Sequence, residues 1–298
     1  MRKVNQISVL SGKGGTGKTS LVAAFATLAH NPVIADCDVD AANLYLVLHP
    51  DNYKEGAFVS GHKAVISYNT CTHCGLCMTY CRFDAIERKI QKDFPKGKIT
   101  IDYLNCDGCR LCSRVCPEQA ITMVPEDNSR WFVGNYRNGK MVHARLSPGE
   151  ENSGKLVSKV RELARETAEE AATDLILIDG PPGTGCSAIA SLTGADKVLV
   201  VTEPTGSGLH DLVRIMELVE KFQVKRYVVI NKYDLNDQLA EEIQEWCNKE
   251  QIPVLGMIPF DPQIVHAMVQ CKSITEWAPD APASPLIKEI FERLVNEE

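Results

Sequence analysis

Residues 4–30, VNQISVLSGKGGTGKTSLVAAFATLAH, decide the fold. An apolar, β-rich run at 4–10 leads into a glycine-rich loop, and the Ala/Leu-rich stretch at 18–30 has helical composition. In this strand–loop–helix setting, Gly12-Lys13-Gly14-Gly15-Thr16-Gly17-Lys18-Thr19 matches G-x-x-x-x-G-K-[ST] in full. The glycines let backbone N–H groups converge on phosphate oxygens, and the helix start adds the positive end of a dipole. Lys18 is expected to reach the β- and γ-phosphates and Thr19 to give its hydroxyl to Mg²⁺. Gly12 through Thr19, with Ser20 behind them, are therefore the candidate binding residues for ATP or ADP.

Further along the chain, VIAD (33–36), DLILID (174–179), KVLVV (197–201), RYVVI (226–230) and PVLGMI (253–258) read as buried strands. Helical stretches such as 209–221 and 236–249 lie between the later ones. Alternating strands and helices imply an α/β fold, a P-loop NTPase with a mostly parallel sheet covered by helices on both faces. About 135 residues interrupt this rhythm after the second strand. Within them an offset of 35 pairs Ile66 with Ile101, Tyr68 with Tyr103, Leu76 with Leu111, Ala85 with Ala120, Ile86 with Ile121, and four cysteines with four cysteines. An inserted two-repeat module is expected at 61–124, between a first ATPase part at 1–60 and the rest at 125–298. The rest opens with a hairpin around Asn138-Gly139, a loop at 147–154 and an amphipathic helix at 155–171.

Cys71-x2-Cys74-x2-Cys77-x3-Cys81 and Cys106-x2-Cys109-x2-Cys112-x3-Cys116-Pro117 reproduce the spacing of bacterial two-cluster ferredoxins, in which each fourth cysteine serves the other repeat's cluster. The insert is thus expected to be an α+β, bacterial-ferredoxin-like domain. One [4Fe–4S] cluster is assigned to Cys71, Cys74, Cys77 and Cys116, and the second to Cys81, Cys106, Cys109 and Cys112. Zinc modules usually space their paired CxxC units farther apart. With four thiolates complete, His73 is expected to be an exposed loop residue.

The chain has 298 residues, 12 cysteines and a net charge of −7. So few cysteines per residue do not make a disulfide scaffold. No 18-residue apolar run and no secretory signal pattern occur, so a cytoplasmic protein is expected. The acidic balance and the acidic C-terminal helix SPLIKEIFERLVNEE argue against nucleic acid as a partner and against a stable membrane anchor.

The loop with its second lysine, Lys13, together with IADCDVDAANL (34–44) and LILIDGPPGTG (175–185), resembles the MinD/ParA/Mrp family of P-loop ATPases. The resemblance implies that Lys13 belongs to a deviant Walker A loop and crosses a dimer interface to the partner's phosphates. It also implies that Asp38 positions the attacking water and that Asp36 and Asp179, the carboxylate ending the Walker B strand, support the Mg²⁺ shell with Thr19. Asn231 and Pro259-Phe260-Asp261 fall where the family contacts the base. Cys37 and Cys186 would lie near the dimer face, where ordinary buried or half-buried thiols are expected. The functional expectation is an ATP-hydrolysing dimer, with itself or a paralogue, that carries two clusters and serves a redox or metallocluster-protein partner. The alternatives are a ferredoxin-like electron carrier that ATP regulates without significant turnover, and a spatial organiser of the MinD or ParA sort.

Overall fold

The computed structural model describes residues 4–92, 94–147, 150 and 154–297, with Lys96 as backbone alone. Most of the loop expected at 147–154 lies outside the described residues. β1 (Asn5–Ser11) runs into the phosphate loop and α1 (Lys18–Leu28), followed by β2 (Val33–Asp36) and the short α2 (Leu44–Leu48). Next come β3 (Asp51–Phe58), β4 (Gly61–Ile66), α3 (Leu76–Thr79), β5 (Ile86–Gln91), β6 (Phe94–Ile101), α4 (Leu111–Val115) and β7 (Ile121–Glu126). β8 (Ser129–Tyr136) and β9 (Gly139–Arg145) form a hairpin that leads to α5 (Lys155–Glu170). The α/β rhythm resumes with β10 (Leu175–Pro182), α6 (Cys186–Leu192), β11 (Lys197–Thr202), α7 (Gly206–Glu220), β12 (Lys225–Asn231), α8 (Asp237–Lys249) and β13 (Val254–Ile258). Helices α9 (Pro262–Val269), α10 (Ile274–Trp277) and α11 (Ala283–Asn296) close the chain.

Strands assemble in the order β13-β12-β11-β1-β10-β2-β9-β8-β3, and every pairing from β13 to β9 is parallel. Parallel strands must be covered on both faces, and β11 shows how. Leu199 and Val201 join one core with α1 and α11, while Val198 and Val200 join another with α7 and α8. The buried Ile287, Ile290 and Leu294 of α11 belong to the first core, so the apolar face of the acidic C-terminal helix is spent on the fold. Buried Lys197 donates to the carbonyls of Leu294, Val295 and Glu297 and thereby ties down the C-terminal end of α11.

The chain divides into two compact units, one of Met1–Gly56, Trp131–Arg145 and Asn152–Glu298, the other of Ala57–Arg130 and Leu146–Glu151. In the second unit β4 pairs with β7 and β5 with β6, both antiparallel. Its core gathers Ala64, Ile66, Ile86, Ile99 and Ile121 with six cysteines packed against them or among them.

Two local expectations change. The hairpin turn is Arg137–Asn138, and neither residue has positive φ. Gly139 instead begins β9, where a Cβ would lie 2.2 Å from the Pro32 carbonyl oxygen. The residues that β3 occupies carried no strand expectation because the strand is charged and largely exposed.

His143 on β9 lies between the rings of Tyr45 and Phe132, at 5.4 and 4.9 Å, with Nε2 3.2 Å from Asn52 Oδ1. Burial, helped by the charge of Arg145, pushes its pKa down to about 4. A depressed folded-state pKa gives stability that is present above the ordinary value of 6.5 and is lost as pH falls toward 4. Between those limits His143 accounts for a loss of about 3 kcal/mol. Urea melts at stepped pH are expected to show a shallower acid dependence for His143→Phe than for wild type. Equal slopes would remove His143 as the cause.

Candidate functional site

The phosphate loop closes on itself where β1 emerges between β10 and β11. Gly17 takes φ 90°, a conformation that suits glycine, and a Cβ there would strike Asn231 Nδ2 at 2.3 Å. Gly12 packs so closely on α7 that a Cβ would lie 2.5 Å from Asp211 Cβ. Lys18, 5% exposed, points back along β10: its Nζ is 2.5 Å from Asp179 Oδ1 and 3.7 Å from Asp38 Oδ2. Thr19 Oγ1 donates to Asp179 Oδ2 at 2.9 Å. Ser20 lines a small apolar cavity with Gly17 and Asn231.

Three carboxylates thus surround one ammonium. Burial works against the Lys18 charge, but Asp179, Asp38 and Asp36 outweigh it and hold its pKa above the usual lysine range. Asp36 is fully buried, and burial together with the Asp179 charge pushes its carboxyl well up. Asp36 Oδ1 accepts from the Asp38 N–H at 3.2 Å, while Oδ2 is buried with no hydrogen-bond partner among the described residues. Burial, partly countered by Lys18, also raises Asp38. Excess negative charge and an orphaned carboxylate oxygen fit a divalent cation that keeps several of its waters.

Lys13 lies apart from this cluster. Its Nζ contacts Thr205 Oγ1 at 2.7 Å, Glu203 Oε1 at 2.9 Å and Ser207 Oγ at 3.0 Å, all on its own chain. Lys232 binds the other oxygen of Glu203 at 3.0 Å and the Gly15 carbonyl at 2.8 Å. Glu203, Thr205, Ser207 and Lys232 were not anticipated. Only Lys232 had a sequence signal, its place next to Asn231.

The residues expected at the base have structural partners. Asn231 Nδ2 donates to the Thr16 carbonyl at 2.8 Å, which fixes the loop, and its Oδ1 is buried without a partner among the described residues. Asp261 is the N-cap of α9, accepting from Gln263 N at 2.9 Å, and also accepts from Ala283 N at 3.3 Å. The Phe260 N–H donates to Asp234 Oδ1 at 2.6 Å, its ring is exposed, and Pro259 is half-buried. Asp261 thus has one capping bond and one further bond on its two carboxylate oxygens, and the Phe260 ring is exposed.

In the second unit the eight cysteines sort into two small cavities. Cys71, Cys74, Cys77 and Cys116 line one, and Cys81, Cys106, Cys109 and Cys112 line the other. Burial raises the thiol of Cys77 and pushes that of Cys112 up to about 11. Among the described residues, no three His, Cys, Asp or Glu side chains converge to hold a single metal ion. His73 is half-buried, not exposed: its Nδ1 accepts from the Ile99 N–H at 3.2 Å, and its ring lies near Tyr68 and Phe94. Of the other cysteines, Cys37 and Cys247 are buried, Cys271 is half-buried and Cys186 is exposed at the start of α6. Burial raises the Cys37 thiol far above its ordinary value, which leaves it a packing residue beneath the site.

Among the described residues no helix is long and apolar enough to cross a membrane. Residues 7–274 match the family described as the CobQ/CobB/MinD/ParA nucleotide binding domain. The uncharacterized protein MJ0578 of Methanocaldococcus jannaschii is 29% identical over 299 residues, covering 98% of this chain and 96% of that protein. The solved septum site-determining protein MinD of Pyrococcus horikoshii, complexed with Mg-ADP, superposes with a TM-score of 0.57 at 19% identity, covering 99% of this chain and 96% of that one. The cell division ATPase MinD of Pyrococcus furiosus gives 0.58 at 21%, covering 99% of each chain. These two likenesses speak for the fold, and the family match speaks for the lineage. Because that match runs from the first strand to α10, the protein belongs to the CobQ/CobB/MinD/ParA family of P-loop ATPase domains.

Proposed function

We propose that the protein is an ATP-hydrolysing switch that acts as a dimer, with itself or with a paralogue, and carries two [4Fe–4S] clusters. It would couple nucleotide state to electron delivery or to metal-cluster assembly on a redox or metallocluster partner. The observation that carries this reading is the crossed sorting of eight cysteines: each cavity takes three from one repeat and the fourth from the other. The same chain holds a complete phosphate loop.

The donor chemistry fits the clusters. Each cavity offers four thiols and apolar walls that include Ile66, Ile99 and Ile121 on one side and Ala64, Phe83 and Ile86 on the other. A four-iron cube spreads its ligands, whereas a zinc ion would need its four to converge. When bound, each cluster supplies one-electron exchange. The chain's part is to ligate through eight cysteines and to shield the sulfurs with the isoleucine core. Twelve unpaired thiols suit a reducing compartment such as the cytoplasm.

On the nucleotide side, Mg²⁺ when bound offsets charge on the β- and γ-phosphate oxygens. Lys18 would move from Asp179 to those oxygens, Thr19 and Asp36 would hold the hydrated ion, and Asp38 would orient the attacking water. Asn231 and the Pro259-Phe260-Asp261 turn, with its exposed Phe260 ring, are the base contacts in this reading. Lys13, as a deviant Walker A lysine delivered by the partner subunit, would stabilise the charge that develops in phosphoryl transfer.

Anaerobic reconstitution is expected to give about eight iron and eight labile sulfide per chain, from two four-iron cubes. Zinc in their place, or iron that stays near zero with the fold intact, would overturn the cluster reading.

A further inference from the structure

An ammonium group has three N–H donors. Those of Lys13 face three acceptors of its own chain: Glu203, Thr205 and Ser207. In this arrangement no donor is left for a phosphate on another subunit. Glu203 and Thr205 lie on the segment joining β11 to α7 and Ser207 lies in the first turn of α7, the helix that packs on the phosphate loop at Gly12; Lys232 ties the segment to the loop again by bridging Glu203 to Gly15. Burial works against the Glu203 charge, but hydrogen bonds from Lys13 and Lys232 hold its carboxyl below the usual range. The Lys13 and Glu203 side chains are 29% and 13% exposed, so the pair is partly shielded from solvent.

We infer that Glu203, with Thr205 and Ser207, is a positioning site that keeps Lys13 on its own chain and so sets the nucleotide concentration at which dimers form. The inference rests on the dimeric reading above. Lys13 has one amine and two uses, so each dimer contact must compete with the internal hold. Apparent affinity falls by the fraction of molecules whose lysine is free. Removing the Glu203 charge raises that fraction. Because Glu203 also anchors Lys232, release of Lys13 leaves the segment before α7 with one tie fewer, and α7 becomes the element that registers assembly.

The test uses the full chain with its clusters and two readouts. The first is acylation of the Lys13 amine by a small reagent without nucleotide, followed by mass spectrometry. The second is light scattering of dimer formation against a non-hydrolysable ATP analogue. Glu203→Gln is expected to acylate at Lys13 several times faster than wild type. It should also reach half-maximal dimerisation at about five- to tenfold less nucleotide, with Glu203→Asp restoring part of the hold. Thr205→Val combined with Ser207→Ala should move both readouts the same way and leaves Glu203 and Lys232 paired. The Thr205 side chain does not cap α7, so its loss does not uncap that helix.

Unchanged Lys13 reactivity in both variants would overturn the inference, and so would faster acylation with an unchanged dimerisation threshold. A wild-type protein that never dimerises, while Glu203→Gln still frees Lys13, would overturn the dimeric reading and with it the gating, but would leave the internal hold in place.

Discussion

Lys13→Ala is expected to bind ATP within a few-fold of wild type, to form no nucleotide-dependent dimer, and to hydrolyse ATP about 10³-fold more slowly or worse. The expectation follows from the division of labour between two lysines five residues apart. Lys18 is sealed in the loop of its own chain among Asp179, Asp38 and Asp36, and in the proposed function it would move from there to the phosphates of the nucleotide bound by that chain. Lys13 lies outside that cluster, on Glu203, and contributes to no intramolecular contact with those carboxylates among the described residues. In the proposed dimer its loss would therefore spare the first binding step and remove a cation supplied on assembly. Equilibrium binding, light scattering and phosphate release separate the three quantities. Hydrolysis at the wild-type rate would show that the reacting phosphate is served within one subunit.

The second large effect concerns a single sulfur. Cys116→Ser should lower iron from about eight to about four per chain and should erase the spectroscopic signal of the cluster held by Cys71, Cys74 and Cys77, although the substitution lies in the other repeat. Cys81→Ser should remove the opposite cluster. The reason is the lining of the two cavities, which pairs Cys116 with the first-repeat cysteines and Cys81 with the second-repeat ones. If Cys116→Ser instead abolished the signal assigned to Cys106, Cys109 and Cys112, each repeat would be serving its own cluster.

Much of this was legible in the chain because the signals are local and periodic. The phosphate loop is eight residues in a row, and β2 begins and ends where VIAD does, because a short apolar run between polar turns has few alternatives. The cysteine spacing anticipated which sulfurs share a cavity. What stayed hidden depends on contacts between distant residues. Glu203 and Ser207 are ordinary residues until the segment after β11 and the first turn of α7 land on a loop far away in the sequence. The resemblance places Asp261 near the base, but that this residue also caps α9 shows only once the helix is seen to start at Pro262. β3 gave no apolar alternation because it is the outermost strand of the sheet and mostly exposed.

The pairing of strands in the second unit has a consequence for what that unit is. β4 opens the first repeat and pairs with β7, which ends the second, while β6 opens the second and pairs with β5, which ends the first. The match extends to the register, with Ile66 opposite Ile121 and Ile101 opposite Ile86. Lys63 lies over the Tyr103 ring and its counterpart Lys98 over Tyr68. Every one of these ties runs between halves. The unit is in effect a covalent homodimer with swapped edges, and neither half has a sheet of its own. Excising one repeat would therefore leave a peptide with nothing to fold against except a second copy of itself.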